Sequence, residues 1–251
     1  MSALDASRSI LVHSVPGQRS GVSPDTIPGS RISMHVFSVE PGETAVPGNG
    51  FEAESAAYIV SGRAEILAGD DFQKATPVAA GDFYFTPARL PHLIHNSGDE
   101  PAKVVLAWSM DPSITNSSRK MEARGDLAVK VVHKPLDTSA TAQTRGMRRV
   151  PAICAETTGA TQIWMCYLTV EPHERGAPHH HGPTHTAAYT ISGRARICFG
   201  EKFQEFIEPR AGDFAFDPPG LVHLVDHPFD DEPWKGVLAR CPENTVVNVG
   251  D

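Results

Sequence analysis

Apolar and polar positions alternate along this chain in short stretches that end at glycine or proline. Arg31–Val39 and Gln162–Val170 are rich in β-branched and aromatic residues, and each stops at Glu-Pro, the pattern of a strand followed by a breaker. Ala56–Ile66 and Ala187–Ile197 each read as two short strands joined at a Ser-Gly turn. Turn signals recur every 8–12 residues or so, the spacing expected of a sandwich or barrel. With 21 glycines and 21 prolines, long helices have no room, so a helical bundle is excluded.

These stretches repeat. Val39-Glu-Pro returns as Val170-Glu-Pro, 131 positions later, and Ser61-Gly-Arg-Ala returns as Ser192-Gly-Arg-Ala at the same offset. Ala80-Gly-Asp-Phe matches Ala211-Gly-Asp-Phe, and Pro87 and His92 match Pro218 and His223. Farther upstream the offset is 120, where Ile10-Leu-Val-His resembles Lys130-Val-Val-His. The extra residues of the second copy fall in the polar stretch Asp137–Gly146. At about 150 residues per domain, 251 residues allow one large domain or two small ones; the repeat points to two copies of one β barrel. The expected division is 10–112 for the first barrel, 113–129 for a polar linker and 130–250 for the second.

Composition narrows the class of function. Hydrophobic residues at 40% and charged residues at 21% can bury a core. A formal net charge of −8 argues against nucleic acid or an anionic membrane as the main partner. No apolar run approaches about 18 residues, and the start lacks the apolar stretch of a secretory signal. The cysteines at 154, 166, 198 and 241 show no paired metal spacing, which suits a reducing compartment. The expectation is a cytoplasmic monomer or homo-oligomer with a small-molecule substrate and no nucleic-acid or membrane partner.

The remaining oddity is the histidine content, 12 in all with three in a row. His179 and His181 stand two apart, so on a strand both point to one face. His185 follows a Gly-Pro bend that can return it to the same point, and His223 lies in a loop entering a strand. Several imidazoles converging in a barrel are costly unless they hold an ion or find hydrogen-bond partners.

These residues resemble those of a bicupin, a tandem protein of the cupin family. Gly212, Pro218, Gly220 and His223 fit the family's second motif, with His227 where the motif has asparagine. His179, His181 and Gly193 fit the first motif. The family's glutamate is missing: counting from His181 puts its slot at His185, and counting back from Gly193 puts it at Thr186. At offset 131 His185 corresponds to Glu54, and the reading taken is that His185 replaces the glutamate, with a three-histidine site as the fallback. The resemblance implies an all-β fold of two tandem double-stranded β-helix (jelly-roll) barrels. It also implies a metal held in the second barrel by His179, His181, His185 and His223. His180 is expected to point away, and Asp226 and His227 are candidates for supporting or proton-transfer roles.

In the first barrel His179 and His181 correspond to Gly48 and Gly50, so that barrel is expected to be a metal-free scaffold or interface. A neutral ligand set leaves the ion its full charge and favours an anionic or enolate-forming substrate. Imidazoles suit Fe, Zn, Cu and Ni, with Mn also open. The leading expectation is dioxygenase-type oxidation of a small organic molecule at one Fe. The alternatives are a redox-neutral hydrolase, isomerase or decarboxylase, and a non-catalytic small-ligand binder or sensor. A storage-type protein is a weaker fourth.

Overall fold

The computed structural model describes residues 4–14, 20–48, 52–111, 127–133, 144–241 and 244–250. The expected linker lies outside these residues up to position 126, and the stretch Asp137–Gly146 up to position 143. The fold is the expected all-β pair of jelly-roll barrels; among the described residues the helix is confined to Ala155–Thr158.

Two six-stranded antiparallel sheets carry the architecture. In one, the strands run in the order Lys130–Val132, Phe83–Thr86, Ser55–Ser61, Ala102–Ser109, Ile32–Val39, Ser20–Val22. In the other the order is Ile10–Val12, Phe214–Asp217, His185–Ser192, Trp234–Cys241, Trp164–Val170, Arg148–Ile153. A smaller sheet closes each barrel: Thr44–Ala45, His92–His95, Arg63–Ala68 and Lys74–Ala79 in the first, Glu205–Ile207, Arg196–Phe199 and Leu224–Asp226 in the second.

Strand alternation sorts the side chains into three cores. Phe83, Phe85, Phe214 and Phe216 face the layer between the two large sheets, where they pack with Ile32, Met34, Ala187 and Ala239. Tyr84, Leu106 and Trp108 turn into the first barrel. Ala188, Ala215, Leu238, Trp164 and Cys166 turn into the second. The four cysteines are free and buried.

The leading strands of the two repeats are exchanged. Ile10 pairs with Phe216 and Val12 with Phe214, in the second barrel. Lys130 pairs with Phe85 and Val132 with Phe83, in the first. The registers correspond, with offset 120 on the exchanged strand and 131 on its partner. Each exchange ends in a His–Asp contact, His13 to Asp213 at 2.7 Å and His133 to Asp82 at 3.0 Å. The division at 10–112 and 130–250 follows the repeat along the chain, and these two strands cross it. Each lays its strand along the equivalent edge of the other copy.

The two Ser-Gly turns show how closely the copies correspond. Gly62 and Gly193 sit at φ 77° and 70°, a region costly for other residues. A Cβ at Gly62 would lie 2.6 Å from the Pro101 carbonyl oxygen, and at Gly193 2.5 Å from that of Pro233. Gly193→Ala is therefore expected to destabilise the protein by about 2 kcal/mol or more, read as a lowered midpoint in urea unfolding.

Candidate metal centre

Three histidines meet inside the second barrel. His179 lies on the short strand His179–His180, and its backbone exchanges both hydrogen bonds with His223, at 2.9 and 3.0 Å. Directly opposed, hydrogen-bonded residues on antiparallel strands place their side chains side by side. His181 follows two residues on, ahead of the turn in which Thr184 N–H donates to its carbonyl at 3.0 Å. The ring centroids stand 4.5 Å apart for His179–His223 and 5.0 Å for each of the other two pairs. All three residues are buried, and one nitrogen from each lies within 4.8 Å of the others.

The hydrogen bonds fix which nitrogen that is. Nδ1 faces a backbone carbonyl in each ring: Ala177 at 3.0 Å for His179, Thr245 at 3.1 Å for His181 and Leu221 at 3.0 Å for His223. A carbonyl only accepts, so Nδ1 carries the proton and each Nε2 presents a lone pair. A carbonyl behind each ring is also the usual support of a metal-bound histidine. Burial, reinforced by the neighbouring His223, pulls His179 down to about 2. Burial and the Arg240 charge hold His181 well below the ordinary range. Both are neutral at physiological pH, and His179 Nε2 is buried with no partner among the described residues. This donor set fits a transition-metal ion.

Charged groups surround the triad. Arg240 is fully buried; it lies 5.4 Å from the Trp164 ring centroid and donates to Asn244 Oδ1 and, at 3.2 Å, to His181 Nε2. Its Nε has no partner among the described residues. Burial and the nearby Arg149 charge lower it to about 9, so it stays cationic at neutral pH. Arg149 is also buried, and it donates to Thr144 Oγ1 at 2.5 Å. On the strand Phe214–Asp217, Asp217 places Oδ2 3.7 Å from His223 Nε2, while its Oδ1 accepts from Ser9 Oγ at 2.6 Å.

The first barrel answers Arg240 and Asp217 with uncharged residues. Arg240 pairs with Trp164 and Thr186, and Trp108 pairs with Ser33 and Ser55, so Trp108 holds the place of Arg240. It stacks on His35 at 5.1 Å. Thr86 holds the place of Asp217. His92 keeps the geometry of His223, with Nδ1 on the Leu90 carbonyl at 2.9 Å. Gly48 supplies no side chain, and Gly50 lies outside the described residues.

Of the four histidines expected to converge, the structure brings together three; His185 stands apart. Adjacent residues of a strand point to opposite faces, and on His185–Ser192 it is Thr186 that points inward. His185 faces the layer between the barrels, where its Nδ1 accepts from Arg31 N–H at 3.3 Å and its ring lies 6.0 Å from Phe216. Glu54 occupies the equivalent place and accepts from Thr161 N–H and Gln162 N–H at 2.8 and 2.7 Å. Arg31 and Gln162 are themselves 131 apart. Alignment of His185 with Glu54 therefore holds, and what the two residues share is a place at the interface.

Asp226 and His227 are engaged elsewhere. Asp226 pairs with Arg175 at 3.1 Å, and His227 Nε2 bonds the Glu232 carbonyl at 3.0 Å. His227 thus pins the following loop, as Asn96 does through the Val39 and Glu100 carbonyls. His180 faces away, accepting from Gly182 N–H at 3.0 Å. Arg149, Arg240, Asp217 and Ser9 are absent from the sequence-based reading. Asp217 against Thr86 was available in the motif itself; Arg240 was hidden because the offset becomes 132 on the last long strand.

The family model of the cupin domain matches residues 35–108, within the first repeat. Among solved structures the chain is similar to the coconut allergen cocosin, at 15% identity and a TM-score of 0.71, covering 98% of this chain and 87% of that one. It is also similar to Bacillus subtilis oxalate decarboxylase: one variant gives 16% identity and a TM-score of 0.69, covering 95% and 79% of the two chains. These likenesses establish the two-barrel cupin fold. None of the curated proteins matches in sequence.

Proposed function

We propose that the second barrel is a mononuclear metal centre that acts on a small organic anion. The observation that carries this reading is the buried Arg240 guanidinium, whose Nε has no partner among the described residues, beside three convergent imidazoles. A divalent ion there would join the buried Arg240 cation, and buried positive charge with unused donor capacity is stabilised by an anion. Arg240, a fixed donor fork, would bind and orient a carboxylate, and the apolar wall of Trp164, Leu238 and Ala215 would exclude water. The ion, when bound, supplies Lewis acidity and, if it is Fe, access to O2 chemistry.

Dioxygenase-type oxidation is the leading reaction, with Fe the ion it calls for. Decarboxylation without net oxidation is the second reading, favoured by the likeness to oxalate decarboxylase in overall fold. Native protein is expected to carry about one equivalent of transition metal per chain. Oxygen uptake and CO2 release across a panel of small mono- and dicarboxylates separate the two readings. Arg240→Met is expected to lower kcat/KM about 10–100-fold. Metal-free native protein, or an Arg240→Met enzyme as active as wild type, would sink the proposal.

A further inference from the structure

Resting on the metal reading above, the geometry points to Asp217 as the anionic ligand of the centre, with Ser9 of the exchanged strand as the residue that positions it. The glutamate slot, counted back from Gly193, falls at Thr186, whose hydroxyl turns into the barrel and has no partner among the described residues. Asp217 is the direct cross-strand neighbour of Thr186. Opposed residues on antiparallel strands carry their side chains on the same face, so a carboxylate at Asp217 reaches the same space from the adjoining strand. It is nearly fully buried, with Oδ2 3.7 Å from the very nitrogen that His223 turns toward the other two rings.

Its second oxygen is already committed. Oδ1 accepts the Ser9 hydroxyl at 2.6 Å, and Ser9 is itself buried. Ser9 immediately precedes Ile10–Val12, so it arrives with the strand that crosses from the start of the chain. With one oxygen held by the Ser9 hydroxyl, the other is aimed by that bond rather than by chance of rotamer.

The repeat supplies a control for this pair. Ser9 corresponds to Val129 at the offset of the exchanged strands, and Asp217 corresponds to Thr86. Val129 packs against the apolar core of the first barrel, and the Thr86 hydroxyl meets those of Ser55 and, at 3.5 Å, the His92 ring. Where the histidine pair is lacking, hydroxyl-bearing serine and carboxylate are both lacking too. The four differences occur together in one barrel, as expected if they serve one ion.

Cobalt(II) is the probe, read by its visible absorption and by competition with a chelator. Asp217→Asn is expected to weaken Co(II) binding about 100-fold and to change the visible spectrum; Ser9→Ala, which keeps the carboxylate but frees it, is expected to weaken binding about 10-fold. Moving the carboxylate back, in the double variant Thr186→Glu with Asp217→Thr, is expected to restore affinity to within about 10-fold of wild type. Asp217→Asn with wild-type affinity and spectrum overturns the assignment while leaving the three-histidine centre intact. If Asp217→Asn does not fold, Ser9→Ala decides alone, and unchanged affinity and spectrum overturn it. Wild-type protein that takes up no Co(II) overturns the metal reading itself.

Discussion

Substituting alanine for His223 is expected to strip the protein of bound transition metal, with affinity falling by more than about 100-fold, beyond the loss seen when only a supporting partner is removed. The two remaining histidines cannot compensate. His179 and His181 are committed through Nδ1 to the Ala177 and Thr245 carbonyls, so neither ring can turn a second nitrogen inward without orphaning a backbone acceptor. His185→Ala is expected to leave metal content unchanged, because that ring faces Arg31 across the interface. It should instead cost stability, about 1 kcal/mol for one hydrogen bond and some packing. Elemental analysis of the two variants side by side checks both halves. Loss of metal in His185→Ala, or its retention in His223→Ala, would refute this assignment of ligands.

The largest effect on folding is expected at Glu54. Its carboxylate accepts from Thr161 N–H, Thr161 Oγ1 and Gln162 N–H, at 2.8, 2.9 and 2.7 Å, while its own N–H donates to Gln162 Oε1 at 3.0 Å. Glu54→Ala leaves the buried Gln162 N–H and the partly buried Thr161 N–H without an acceptor, and bonds to a charged acceptor are worth more than neutral ones. The expected loss is about 3 kcal/mol, or roughly 6–12 °C in Tm for a chain of this size. Calorimetry measures it; a shift under about 2 °C would show that the barrels are held without this clasp. The His185 side of the interface, with one bond of 3.3 Å, should tolerate change more readily.

Much of this fold could be read from the chain because its information is local and doubled. Alternation marked the strands, Ser-Gly marked the turns at 62 and 193, and an offset of 131 marked the copies. His179, His181 and His223 were legible because a strand period of two and a motif spacing both act over short distances. His185 was expected to converge with them and instead faces the interface, because a single residue of register decides which face of a strand it occupies. That choice is made by what lies across the interface, in this case Arg31. Arg240 and Ser9 escaped notice for a different reason: their partners are 59 and 208 positions away, and no periodicity links such positions. The His13–Asp213 and His133–Asp82 contacts belong with them, since exchange of the leading strands is a decision between equivalent edges.

That exchange has a consequence for how the molecule is made. The strand Ile10–Val12 emerges from the ribosome long before its partner Phe214–Asp217, so a long loop must close before the two can pair. Until it closes, the edge of Phe214–Asp217 is open and Ser9 has not reached Asp217. A chain interrupted anywhere before Phe214 therefore presents neither the gathered histidines nor the charges around them. Pairing of Ile10–Val12 with Phe214–Asp217 and assembly of the second barrel's polar interior become the same event, whereas the first barrel takes its exchanged strand from Lys130–Val132, earlier in the chain.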